Sequence, residues 1–416
     1  MFFLYQIIIS LIIIISPIII IVRILKNKED KNRLKEKFSI PTKKRINGKL
    51  IWFHGASVGE LQSIIPIIKK YERKKTISQI LITSSTLSSS KVLKKFNLKK
   101  TIHQFYPIDH YLLNKKFLNY WKPNIAIFVE SEIWPSMFKQ INNKKITLLL
   151  LNARFTKKTF NKWMAIKNFS KEIFNKISFA YPQNLETKSY LKKIGIKNIK
   201  SIGNIKFAEN PGEKLIKISK KLRLEFSKKK VWVASSTHQN EEIFCAEAHM
   251  ELKKKIKNLI TVIIPRHIHR VNEIVSELKK FNLKILLHSS NKYNLNEIDI
   301  YIVDTFGETK KFHKIATTVF LGGSIIKRGG QNPLEAARFG SRILHGPNTD
   351  NFKDIYKLLK TLKISEKIDN PNNLASMIVF KKNKKIGYKI KKMGEKILNE
   401  TIKELDKQIN NEFKKA

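Results

Sequence analysis

A single cysteine, Cys245, stands among 416 residues. That excludes an intramolecular disulfide and any zinc site built on cysteines, and it suits a reducing compartment. Acidic residues are scarce, with 33 Asp and Glu against 82 Lys and Arg, for a formal charge of +49. Arginine is scarcer still, at 11 residues beside 71 lysines. A charge of this size raises the question of nucleic-acid binding. The lysines, however, are scattered in ones and twos rather than gathered in a block. They read as solvated surface with some attraction for anionic lipid or phosphate, and nucleic acid is not expected as a partner. The few arginines are the more informative for standing against the trend. There is no Walker-type Gly-x-x-x-x-Gly-Lys-Ser/Thr motif and no Gly-x-Gly-x-x-Gly fingerprint. There is no Asp-x-Asp pair to hold a metal on a sugar nucleotide, and His103, His110, His238, His267 and His269 lack metal-ligand spacing. Neither a metal nor a cofactor is expected.

What is present begins with an apolar run. Residues 2–22 carry no charge and are mostly Ile, Leu and Phe. About twenty such residues can cross the ~30 Å hydrocarbon core as a helix. The basic n-region and small-residue cleavage site of a signal peptide are missing. Arg23, Lys26 and Lys28 follow at once and no basic residue precedes, so the positive-inside rule puts the remainder in the cytoplasm. Residues 1–24 are therefore expected to form a single-pass anchor helix.

Hydrophobic residues make up 42% of the chain, whose length suffices for two domains. A short basic helix is expected over 32–38 and a linker over 41–47. Short buried strands follow at 50–53, 80–83, 125–129 and 146–151, with weaker candidates at 178–181 and 199–202. Helical spacing covers 61–74 and 88–96. A linker with Pro and Gly is expected over 204–213. The alternation then restarts with strands at 231–234, 260–264, 284–287, 301–303, 318–321 and 342–344. The stretch 373–415 reads as helical and Lys-rich. Two βα arrays in series predict two Rossmann-like domains facing one cleft, over 32–205 and 206–375, with a helical tail over 376–416.

The candidate chemistry sits where strands end, since ligands of doubly wound sheets bind at the carboxyl ends of strands. His54-Gly-Ala-Ser-Val-Gly-Glu60 follows the first strand. Its Glu60 is either a catalytic carboxylate or half of a Ser57-x-x-Glu60 capping box. Glu130-Ser-Glu-Ile-Trp-Pro135 follows another strand, and Glu130 and Glu132 are either site groups or helix-start acids. Lys206, in Gly203-Asn-Ile-Lys206, lies where the two arrays meet. In the second array Ser235-Ser-Thr-His238 offers hydroxyls and backbone N–H groups to a phosphate, or simply caps a helix. Pro265-Arg-His267 brings one of the scarce arginines to a strand end. Asp304-Thr-Phe-Gly-Glu308 forms a third such turn. Gly322-Gly-Ser324 and Gly329-Gly-Gln-Asn-Pro-Leu-Glu335 combine paired glycines, an amide and a carboxylate, as a nucleotide pocket would.

These motifs, together with Asn152-Ala-Arg154 and His345-Gly-Pro347, resemble the 3-deoxy-D-manno-octulosonic acid (Kdo) transferases in order and spacing over roughly 32–360. The resemblance implies a GT-B glycosyltransferase that is inverting and independent of metal, using CMP-Kdo as donor and lipid IVA as acceptor at the inner membrane. Carried over by residue, it makes Glu60 the general base, with Glu130 and Lys206 stabilising the transition state. It assigns Pro265, Arg266, Phe306, Gly307, Glu308, Asn332, Pro333, Leu334 and Glu335 to the CMP moiety. Phe306 departs from the Met usual in that turn, an apolar exchange. The stretch Ile326-Lys-Arg328 is variable, and Arg328 is given no donor role. A GT-B enzyme using a UDP-sugar would share the anchor and both arrays, but not the Gly-Ala-Ser-Val-Gly-Glu turn.

Overall fold

The computed structural model describes residues 1–208, 218–292 and 294–415. The chain divides into two compact units, Met1–Pro211 with Gly394–Ala416, and Gly212–Met393. Residues 209–213 of the expected linker lie outside the described residues.

The first unit is built on six strands: β1 Leu50–His54, β2 Gln79–Ser84, β3 Thr101–Phe105, β4 Ile125–Val129, β5 Thr147–Ala153 and β6 Phe179–Pro182. They pair in the order β3-β2-β1-β4-β5-β6, and every pair is parallel. Side chains alternate between the two faces, and both are covered, so the strands read as unbroken apolar runs. Trp52, Phe128 and Leu150 pack on one face, and Phe53, Ile127 and Leu149 on the other. The strand order reverses between β1 and β4, which creates the crevice where such sheets bind ligands. Glu60 and Glu130 follow these two strands.

The second unit holds β7 Lys230–Thr237, β8 Leu259–Pro265, β9 Ile285–Leu287, β10 Ile300–Ile302, β11 Thr318–Leu321, β12 Arg342–His345 and β13 Ser365–Lys367. Their order is β13-β12-β11-β7-β8-β10-β9, again parallel throughout, with the reversal between β7 and β11. Two parallel-sheet α/β domains in series constitute a GT-B fold, the class expected.

Several elements differ from expectation, the unforeseen short polar edge strand β13 among them. The edge strand β3, Thr-Ile-His-Gln-Phe, has polar residues within it and only its last two residues are buried, so it carries no apolar run. The stretch 199–202 makes a single bridge, Ile199 to Ala180, instead of a strand. The stretch 376–416 is shared between the units. A helix runs Lys384–Lys415, and from Gly394 onward it belongs to the first unit. There Leu398, Leu405 and Ile409 join the core beneath the helix Val58–Tyr71. Gly394 is needed for this, because a Cβ would lie 2.0 Å from the Phe207 carbonyl oxygen. The apolar N-terminal run forms one helix, Phe2–Leu25, and Lys31–Phe38 a short 3-10 helix.

Candidate active site

The turn after β1 settles how Glu60 is held. Ser57 is the N-cap of the helix Val58–Tyr71, and its hydroxyl oxygen accepts from the Glu60 backbone N–H at 3.3 Å. Glu60 answers through Oε2, which accepts from the Ala56 N–H at 2.7 Å, and Oε1, which accepts from the Ser57 hydroxyl at 2.8 Å. The capping box is complete. It does not compete with a chemical role, because it fixes the carboxylate at the carboxyl end of β1. Burial, reinforced by the charges of Glu132 and Glu130, raises the Glu60 pKa to about 7. A carboxylate tuned to neutrality can both accept and release a proton under working conditions.

Glu130 ends β4 in a left-handed conformation, φ 59°, and is 6% exposed. A non-glycine residue in that region carries strain that its surroundings must hold, and such strain gathers at functional sites. Here its N–H donates to the Leu151 carbonyl at 2.9 Å. Its Oε1 lies 2.6 Å from Lys206 Nζ. Lys206 reaches it from the short turn Ile205–Phe207, whose N-cap Asn204 accepts from the Lys206 N–H at 3.0 Å. Asn152 Oδ1 holds the same turn by accepting from the Ile205 N–H at 3.0 Å. The motifs at 130, 152 and 203 thus converge on one ion pair.

Glu132 is not the helix-start acid that its position suggested. The next helix is Pro135–Asn143, with no acid in its first turn. Glu132 Oε2 instead accepts from Trp134 Nε1 at 2.9 Å and lies 3.1 Å from His54 Nε2. His54 Nδ1 is 2.9 Å from the Thr83 hydroxyl, which also accepts from Trp52 Nε1 at 2.9 Å. His54 Nδ1 also lies 3.2 Å from the Thr83 carbonyl oxygen, so the ring is held between Thr83 on one side and Glu132 on the other. His54 is fully buried, so this network locks Glu132 beside Glu60.

In the second unit the turns after β7 and β11 press together. A Cβ on Gly322 would lie 2.4 Å from the Ser236 carbonyl oxygen, so only glycine fits. Of the turn 235–238, the His238 N–H is already taken, and so are three amides of the turn after β11. The N–H groups of Gly323, Ser324 and Ile325 donate to the Glu241 carboxylate at 2.7, 3.1 and 3.0 Å, and that of His238 at 3.0 Å. Glu241 is fully buried and fills the site as a built-in anion. Spacing along the chain gives no hint of a pairing across more than eighty residues.

Other residues assigned to the nucleotide stand at neighbouring strand ends. Pro265 closes β8, and the exposed Arg266 is held by its backbone N–H, which donates to the Thr237 carbonyl at 2.9 Å. Past β10, Phe306 is 83% exposed, Gly307 adopts φ 88°, and Glu308 lies 2.5 Å from Lys311. Past β11, Asn332 Oδ1 accepts from the Leu334 N–H at 3.0 Å in the turn that leads into the helix Leu334–Ala337, whose N-cap is Pro333. The Glu335 carboxylate lies 3.8 Å from His313 Nδ1. Leu334 is fully buried, so its side chain supports this turn and only its backbone can face a ligand.

Residues 32–209 match the family model described as 3-Deoxy-D-manno-octulosonic-acid transferase (kdotransferase). The chain is 35% identical over 367 residues to the 3-deoxy-D-manno-octulosonic acid transferase of Rickettsia bellii (strain RML369-C), covering 87% of this chain and 86% of that one. It is 28% identical over 313 residues to the enzyme of the same name from Haemophilus influenzae (strain ATCC 51907 / DSM 11121 / KW20 / Rd), covering 74% and 73%. Among solved structures it is similar in fold to a glycosyltransferase from Rickettsia africae ESF-5, with a TM-score of 0.55 and 14% identity over 88% of this chain and 99% of that one. With paired carboxylates at one sheet's reversal point and both arrays accounted for, the chain belongs to the 3-deoxy-D-manno-octulosonic acid transferase family and is a glycosyltransferase.

Proposed function

We propose that this Kdo transferase takes Kdo from CMP-Kdo and attaches it to the 6′-hydroxyl of lipid IVA, with inversion and without a metal, in lipopolysaccharide core synthesis at the cytoplasmic side of the inner membrane. The observation that carries this reading is Glu60, locked by its own helix cap beside Glu130 and Glu132 with its pKa raised to about 7. A sugar hydroxyl is a weak nucleophile at neutral pH. Glu60 takes its proton as the oxygen bonds to the anomeric carbon of Kdo. The bond from that carbon to the CMP phosphate oxygen breaks, and CMP leaves with the electron pair. Attack opposite the leaving group inverts the centre.

Charge develops on the departing phosphate, and fixed cations lower the barrier when they need no rearrangement. Lys206, held 2.6 Å from Glu130, is such a cation on the first unit. Arg266 supplies the donor side, where a guanidinium can grip phosphate in bidentate fashion. Pro265 and Arg266, Phe306 to Glu308 and Asn332 to Glu335 hold the CMP moiety, with the exposed Phe306 ring offering a face for a base. The apolar helix Phe2–Leu25 keeps the enzyme beside its lipid acceptor.

The test is mass spectrometry of products formed from lipid IVA with CMP-Kdo, and separately with UDP-sugars, in buffer containing EDTA. A Kdo adduct from CMP-Kdo at an undiminished rate is expected. Transfer from UDP-sugars alone would overturn the donor, and activity lost to EDTA and restored by a divalent cation would overturn metal independence.

A further inference from the structure

The helix Phe2–Leu25 has a mean hydropathy of 3.0 over its most apolar window, yet its sides differ. Tyr5, Gln6, Ser10, Ser16 and Arg23 fall toward one side, where they are half-buried or, for Ser16, buried, the Ser10 and Ser16 hydroxyls bonding within the helix itself. The opposite side is bare Phe, Leu and Ile from end to end: Phe3 is 78% exposed, Ile14 74% and Leu25 77%.

Both ends are tied to the first unit. At the start, the Tyr5 hydroxyl donates to Asp109 Oδ2 at 2.7 Å, and Gln6 Oε1 accepts from the Tyr111 N–H at 3.1 Å. Gln6 Nε2 bonds Ser136, and Lys139 Nζ sits 3.8 Å from the centre of the Phe2 ring. Asp109 is 2% exposed and also accepts from the backbone N–H groups of Ser136 and Met137. At the other end, Arg23 pairs with Glu29 at 2.5 Å, and Glu29 with Lys37 at 2.6 Å. The Lys37 carbonyl accepts from the Ile108 N–H at 2.9 Å. Ile108 and Asp109 are neighbours, so the two ends of the helix lead back to one loop.

A crossing helix parts its ends by the ~30 Å hydrocarbon core. Tyr5 and Arg23 are about 27 Å apart along an α-helix. With both ends fastened to one folded unit, a crossing would carry the Asp109 loop and the basic strap after Leu25 into hydrocarbon, where unpaired charge is not tolerated.

We propose that Phe2–Leu25 lies in the plane of an anionic bilayer surface, its bare face sunk among the acyl chains of one leaflet and its polar stripe against the first unit, in place of the single crossing suggested by length and hydropathy. Charge favours an anionic surface as the occupant. Lys26, Lys28, Lys31 and Lys35 are exposed just beyond the helix. The acids among them, Glu29 and Glu36, are buried and paired with Lys37 and Arg33. Asp30 is spent capping the turn that follows, accepting from the Asn32 N–H at 3.1 Å. Basic residues at headgroup level add attraction to an anionic surface beside an inserted apolar face.

The experiment uses the full chain with one nitroxide label at a time, on Leu4→Cys, Leu11→Cys, Ile18→Cys and Leu25→Cys, all on the bare face. Cys245 is fully buried and stays unlabelled. Each variant that retains transferase activity is bound to phosphatidylethanolamine–phosphatidylglycerol vesicles, and its collisions with oxygen and with a nickel chelate are compared by electron spin resonance. The in-plane helix places all four labels at one shallow depth, with oxygen favoured at each. Labels deepest at Leu11 and Ile18 and aqueous at both Leu4 and Leu25 would overturn the proposal. Binding to pure phosphatidylcholine vesicles is expected to be at least ~10-fold weaker. Equal binding would remove the anionic surface as the partner.

Discussion

Glu60 and Glu241 occupy equivalent places in the two units, each in the first turn of the helix after the strand that opens its array. Their surroundings send them to opposite roles. Glu241 accepts from four backbone N–H groups and is fully buried, so its charge is spent on holding the turns after β7 and β11 together. Glu60 accepts from fewer donors, stays partly exposed and shares its corner with two other carboxylates, which leaves its proton exchangeable near neutrality. The same residue type at the same point of one scaffold becomes a fixed fastener or a carboxylate that titrates near neutrality, according to how many dipoles point at it and how many like charges stand near.

The comparison can be broken from either side. Glu60→Gln removes the proton acceptor but keeps oxygen for the Ala56 N–H, so kcat should fall about a thousandfold while the melting curve barely moves. Near-normal turnover would reduce Glu60 to a cap. Glu241→Gln should do the reverse. An amide nitrogen facing N–H donors costs about 3 kcal/mol, which would show as a lower unfolding midpoint with the kcat of the surviving folded enzyme little changed. Arg266→Ala should raise the donor KM roughly tenfold with a smaller effect on kcat, as expected for loss of one charge-assisted contact.

The smallest effect is also the most discriminating. In the proposed mechanism Glu60 works as the ionised base, so kcat/KM should drop about tenfold per pH unit below an inflection near 7. Glu132 raises that pKa by repulsion, so Glu132→Gln should move the inflection to lower pH, and an unmoved profile would detach Glu132 from the site. The same substitution at Glu241 should leave the inflection in place.

Much of this was legible in the sequence. β1, β4, β8 and β11 announce themselves as short apolar runs, because both faces of a parallel sheet are covered. Their turn motifs locate Glu60, Glu130 and Arg266 at strand ends. β3 and β13 were not legible, since edge strands are covered on fewer sides and need no apolar run. Glu132 and His54 were in view as letters within motifs, but not as partners.

The sequence by itself determined the two alternating arrays, the strand-end positions of the acids and the family, since all three rest on local periodicity and on ordered motifs. Tertiary structure alone decided the ionisation of Glu60, the filling of the Gly323–Ile325 amides by Glu241 and which side of the apolar helix stays bare. These depend on distance through space, because repulsion, desolvation and hydrogen bonding act between groups that folding brings within a few ångströms from more than seventy residues apart along the chain.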